Sequence, residues 1–184
     1  MTTQNRSNAA PAIASALAAL TLAANASAAS ANTARFACDT AEGRVSEFRV
    51  PIKASRFTLS GTIKPALFRG DDKWLPTAVV QLKNRETGNA MIMSLTAPSG
   101  EAPGAMVSVQ QKTGGETKRS DVGTLAVGNL VNFTIVYNRG AQNRFVIGEQ
   151  PIVSQGDLGT AFDLSLSCST GDFVFEELVW TVEG

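Results

Sequence analysis

From residue 34 onward, apolar and polar residues alternate with a period of two, the spacing of strands with one buried face. Arg44–Val50 alternates in this way. In Arg56–Lys64, the residues Phe57, Leu59, Gly61 and Ile63 fall on one side, and Arg56, Thr58, Ser60, Thr62 and Lys64 on the other. Thr77–Lys83 and Ala90–Thr96 flank the turn residues Asn84–Asn89 and predict a hairpin. Ala105–Lys112 predicts a further strand, with a Gly-rich turn after it. Gly123–Val127 leads into Val131–Tyr137, and the turn Asn138–Ala141 leads into Asn143–Gly148. Phe162–Cys168 alternates again. A turn at Ser169–Asp172 then precedes the last strand, Phe173–Trp180. No stretch carries the 3.6-residue period of a helix. About ten or eleven short strands divided by Gly, Pro, Asn and Asp predict one all-β domain over residues 32–184, a two-sheet antiparallel β-sandwich.

Residues 1–31 follow a different pattern. A polar start with one positive charge, Arg6, gives way to an uncharged stretch rich in Ala and Leu. Ala26-Ser27-Ala28 and Ala29-Ser30-Ala31 each fit a small-residue cleavage site. This is the layout of a secretory signal peptide, too short and too Ala-rich for a stable membrane span. It predicts a periplasmic or secreted protein with no transmembrane segment after cleavage. The only two cysteines, Cys38 and Cys168, most simply form one disulfide in an exported chain.

Charge and composition exclude several chemistries. Lys plus Arg and Asp plus Glu are 16 each, so no basic excess points to nucleic acid. Lys118-Arg119, between Glu116 and Asp121, is expected in a solvated loop. The sequence holds no histidine, which removes Ser-His and Cys-His nucleophile pairs and most zinc sites. No phosphate-binding Gly-Lys-Ser/Thr loop occurs. No cofactor is expected. Asp71-Asp72 is the one weak candidate for calcium oxygen ligands.

The adjacent glutamates Glu176 and Glu177 raise the question of a catalytic carboxylate pair. On a regular strand they point to opposite faces, so they cannot flank one sugar. Glu47 and Glu149 are the carboxylates that could join either of them from elsewhere.

Val131–Gly148 resembles the hairpin of concanavalin A-like jelly rolls, such as laminin G-like domains, in which a strand and a short polar turn precede a strand ending in Gly. Phe173–Trp180 resembles the closing strand of that fold, and Phe57–Pro65 its early core strand. The resemblance implies a sandwich with a concave, often sugar-binding face. The superfamily also contains glycoside hydrolases, calcium-dependent lectins and scaffold modules, so fold alone does not fix function. The Glu-x-Asp-x-x-Glu stretch of its glucanases is missing here.

The expectation is therefore an exported, non-catalytic binding module with a glycan or surface-protein partner, carbohydrate first. Trp74 is a candidate sugar-stacking aromatic, and Tyr137, Arg139, Asn143 and Arg144 border the hairpin that would edge the concave face. The alternatives are a structural or assembly protein of the cell envelope and, third, a glycoside hydrolase. No enzyme activity is expected.

Overall fold

The computed structural model describes residues 31–70 and 73–184. The expected signal segment and the Asp71-Asp72 pair lie outside the described residues. Among these there are ten strands and no helix. They are β1 (Ala31–Lys53), β2 (Arg56–Phe68), β3 (Thr77–Lys83), β4 (Ala90–Thr96), β5 (Gly104–Thr113), β6 (Glu116–Ala126), β7 (Val131–Asn138), β8 (Asn143–Ile147), β9 (Gln150–Ser154) and β10 (Ala161–Glu183). All pairings are antiparallel.

Two strands of 23 residues, β1 and β10, pair along almost their whole length. The other edge of β10 is shared. Asp163–Ser169 pairs with β3, and Gly171–Glu183 pairs with β2. The ribbon therefore belongs to two sheets. Sheet A runs from its first β10 half through β3, β4, β5 and β6, and sheet B from its second half through β2, β7, β8 and β9. The expected turn at Ser169–Asp172 is instead where one strand crosses between sheets. There four residues of β1, 41–44, stand against the single Thr170. Thr170 is fully buried and has a φ of 56°, a rare conformation for a β-branched residue. Its hydroxyl accepts a hydrogen bond from the Gly43 amide at 3.3 Å.

The Cys38–Cys168 disulfide sits at this crossing and is buried. Cys38 lies opposite Phe173 in the sheet B half, and Cys168 opposite Ser46 in the sheet A half. The bond therefore ties the two halves of the ribbon together across the bulge. Inside, the sheets meet through aromatic edges. The Phe162 ring of sheet A stands 5.6 Å from Phe57 and 5.2 Å from Tyr137 of sheet B, both edge-on.

The last strand departs from regular alternation. Phe173, Phe175, Leu178 and Trp180 are all buried, a pattern that requires one extra residue between Phe175 and Leu178. A β-bulge supplies it. On the β1 side Arg35 stands against Glu176-Glu177, and on the β2 side the register shifts between Glu176 and Val179. Glu177 takes up the strain with a φ of 51°. Both glutamates consequently lie on the wet side, contrary to the opposite-face expectation. Gly61 makes room for the bulge: a Cβ there would fall 2.8 Å from Leu178 Cδ2 and 3.1 Å from the Glu176 carbonyl oxygen.

Two outcomes are expected. Gly61→Val should lower stability by about 1–3 kcal/mol in denaturant titration, because the new side chain overfills the space under Leu178. Replacing both cysteines by Ala should cost about 3–5 kcal/mol, because the bond closes a loop spanning 130 residues.

Candidate functional site

The outward positions of β10 in sheet A are Asp163, Ser165, Ser167 and Ser169, three of them small hydroxyl residues. They form the floor of a trough. β1 contributes Glu47 and Arg49 along one wall, and β3 contributes Gln81 and Lys83 along the other. The register aligns these residues in rows. Arg49 is opposite Ser165, and Ser165 is opposite Gln81; one row on, Pro51 is opposite Asp163, and Asp163 is opposite Lys83. Adjacent strands stand ~4.8 Å apart, so each three-strand row spans about 10 Å. Arg49, Gln81, Lys83, Arg85, Asp163 and Ser165 enclose a depression of about 340 Å³. Beside it, a second of about 510 Å³ reaches Lys53 and Glu86 and shares Arg49, Arg85 and Asp163.

The charges in the trough are partly paired. Arg49 donates to Glu47 at 2.6 Å, and this carboxylate holds the guanidinium more firmly protonated than usual. Arg85 pairs with Asp163, a residue only 9% exposed. Lys53 and Lys83 make no ion pair among the described residues. The chain as a whole is neutral, yet this face presents two unpaired ammonium groups beside hydroxyl and amide hydrogen-bonding groups. Such a surface can hold a carboxylate and satisfy sugar hydroxyls.

Of the five sequence-predicted residues, Tyr137, Arg139 and Asn143 converge on the 155–160 segment, while Trp74 and Arg144 lie apart from them. Tyr137 and Asn143 are fully buried. The Tyr137 hydroxyl shares its proton between Asp157 Oδ1 at 2.8 Å and the Gly159 carbonyl at 2.7 Å. Asn143 donates to the Gly156 carbonyl at 2.7 Å and accepts from the Asn138 amide at 3.0 Å. With Asn84, which donates to the Leu158 carbonyl at 2.7 Å, they hold the 155–160 segment across one end of the sandwich. Arg139 pairs with Asp157 at 3.6 Å, and Arg144 is exposed on sheet B. Trp74 is 45% exposed near the sheet crossing, with the Lys73 ammonium 5.5 Å from its ring centre. The Lys118-Arg119 pair lies on β6, whereas the sequence placed it in a loop.

Nor do the glutamates assemble a carboxylate pair. Glu176 pairs with Arg35 at 2.7 Å, Glu47 belongs to the sheet A half of β1, and Glu149 sits between β8 and β9. The trough residues escaped the sequence reading because they come from three strands far apart in the chain. The available signal was the alternation in Glu47-Phe48-Arg49, Gln81-Leu82-Lys83 and Ser165-Leu166-Ser167.

No family model and no curated protein matches the chain. Solved structures do. The carbohydrate recognition domain of Emp46p, in its potassium-bound form, matches with a TM-score of 0.57 at 11% identity, over 83% of this chain and 87% of that one. Alginate lyase AlyC3 matches with a TM-score of 0.56 at 12% identity, over 82% and 75%. Alginate lyase PA1167 from Pseudomonas aeruginosa matches with a TM-score of 0.55 at 14% identity, over 71% and 66%. The fold is the concanavalin A-like jelly roll, as the sequence resemblance implied. The expectation that no enzyme activity exists is overturned, because the proteins sharing this fold include lyases as well as recognition domains. That expectation rested on the lack of a carboxylate pair, which elimination chemistry does not need. The disulfide is consistent with an extracellular protein. No helix among the described residues is long and apolar enough to cross a membrane.

The loop-holding role of Tyr137 gives a pH-resolved expectation. The Gly159 amide and the Tyr137 hydroxyl hold the Asp157 carboxyl below its ordinary range, so its contribution is present above the unfolded value near 4 and is lost as pH falls through the folded value. Burial, then Asp157, pushes the Tyr137 phenol well above its ordinary value, so stability falls as pH rises past ~10. Tyr137→Phe should cost about 1–2 kcal/mol at neutral pH and flatten both the acid and the alkaline limb of the stability curve.

Proposed function

We propose that this chain engages an acidic polysaccharide along the outer face of sheet A, outside the cytoplasm. The observation that carries this reading is the Arg49–Ser165–Gln81 row with the unpaired Lys83 beside it. A uronate chain laid along β10 would direct carboxylates to Lys83, Lys53 and Arg49. Its hydroxyls would meet Ser165, Ser167 and Gln81. The kinship of fold with a carbohydrate recognition domain and with alginate lyases supports this ligand class.

A second reading, eliminative cleavage at the same face, is favoured by the position of Lys83. In that chemistry Arg49 and Gln81 hold the uronate carboxylate, and the Lys83 amino group takes the proton from the carbon beside it. The bond to the leaving oxygen breaks as the double bond forms, and a solvent proton goes to that oxygen.

Alginate and polygalacturonate are the probes. Binding by the full chain should weaken at least tenfold in Arg49→Ala or Lys83→Ala and fall steeply with salt, whereas neutral dextran should not bind. Release of unsaturated ends, read by ultraviolet absorbance and lost in Lys83→Ala, would establish cleavage. Salt-independent binding, or binding by both variants as tight as that of the unsubstituted chain, would overturn the assignment of this face.

A further inference from the structure

On the side away from the β1–β10 ribbon the two sheets part. A cleft of about 300 Å³ opens there between β5 and β6 of sheet A and β8 and β9 of sheet B, within the size range of small-ligand sites. Val109, Phe145 and Ile152 give it an apolar floor. Two of its lining residues from opposite sheets, Gln111 of β5 and Ser154 of β9, each carry a buried side-chain oxygen, Oε1 and Oγ, without a hydrogen-bond partner among the described residues. Gln111 is only 6% exposed. Its amide is held in place, with Nε2 3.3 Å from Thr113 Oγ1 and so close to Gly156 that a Cβ there would fall 2.5 Å away. Buried polar groups are nearly always satisfied, so two unsatisfied ones in a single cleft point to something outside the chain. Lys118 stands in the same cleft and makes no ion pair among the described residues.

The chemistry of the occupant follows from these groups. An amide oxygen only accepts, so the ligand must bring hydroxyl donors. Lys118 calls for an anion. The floor calls for a compact C–H face. A hydroxylated ring carrying one carboxylate meets all three requirements. We infer that this cleft is a second ligand site that takes a single uronic acid residue. Its hydroxyls donate to Gln111 Oε1 and Ser154 Oγ, its carboxylate faces Lys118, and its ring lies over Phe145 and Ile152. The site shares only its ligand class with the outer-face reading and uses none of the same residues.

Calorimetry of the full chain tests it, with sodium glucuronate as the probe and glucose as the uncharged control. Saturable binding of glucuronate is expected, weakened at least tenfold by Lys118→Met and lost in Gln111→Met. Ser154→Ala, a milder change, should weaken binding by a smaller factor. In Lys83→Ala polymer binding should fall while the glucuronate binding that depends on Lys118 and Gln111 persists, so the two sites fail separately. Absence of glucuronate binding, or binding indifferent to Lys118→Met and Gln111→Met, overturns the proposal. So does a shift in Tm for Gln111→Met without any glucuronate binding, which would mean that ordered water satisfies the amide.

Discussion

Backbone pairing between β1 and β10 is the constraint on which the rest of the fold depends. β10 is hydrogen-bonded along both edges, to β1 on one side and to β3 then β2 on the other. A buried strand must pair its amide and carbonyl groups, and β10 does so by serving two sheets in succession. A flat ribbon could not do this. It bends at Thr170, where β1 has extra residues and the chain leaves one sheet for the other. The disulfide lies at that bend, where the two halves of the ribbon would otherwise be free to hinge.

The bulge at Glu176-Glu177 shows how the core takes precedence over local regularity. Four large side chains in Phe173–Trp180 have to reach the interior, and strict alternation cannot place them all there. An extra residue in a strained backbone conformation is less costly than an exposed Leu or a buried carboxylate. The adjacent glutamates are a consequence of this solution. Glu176 finds Arg35 across the ribbon, and Glu177 faces solvent.

Polar residues within the fold divide by what they touch. Tyr137, Asn143 and Asn84 each bond to backbone carbonyls of the 155–160 segment. The trough on sheet A is different. Its hydroxyl and amide groups face outward, and its lysines are unpaired while its arginines are tied to carboxylates. A surface that keeps some charges neutralised and leaves others available is suited to a partner carrying the complementary charge.

Period-two alternation determined most of the strands. Thr77–Lys83 and Ala90–Thr96 fall on β3 and β4 residue for residue, because both are short apolar runs bounded by turn residues; β3 has one clean buried face, whereas β4 is buried on both sides. The pairing of Cys38 with Cys168 was also legible, since two cysteines admit one bond. Alternation could not show that 31–53 and 161–183 are single strands, since their interruptions read locally as turns and only long-range pairing carries the chain through them. β9 escaped for the opposite reason: five residues at a sheet edge, including Pro151, bury too little to leave a pattern. The candidate sites depended on tertiary structure in the same way. Alternation puts Arg49, Ser165 and Gln81 on the outer faces of their strands, but only the order β1–β10–β3 makes them neighbours. Sequence period fixes which face a side chain takes; strand order fixes what it meets there, and that order is set by long-range pairings such as Lys83 with Asp163 and Arg49 with Ser165.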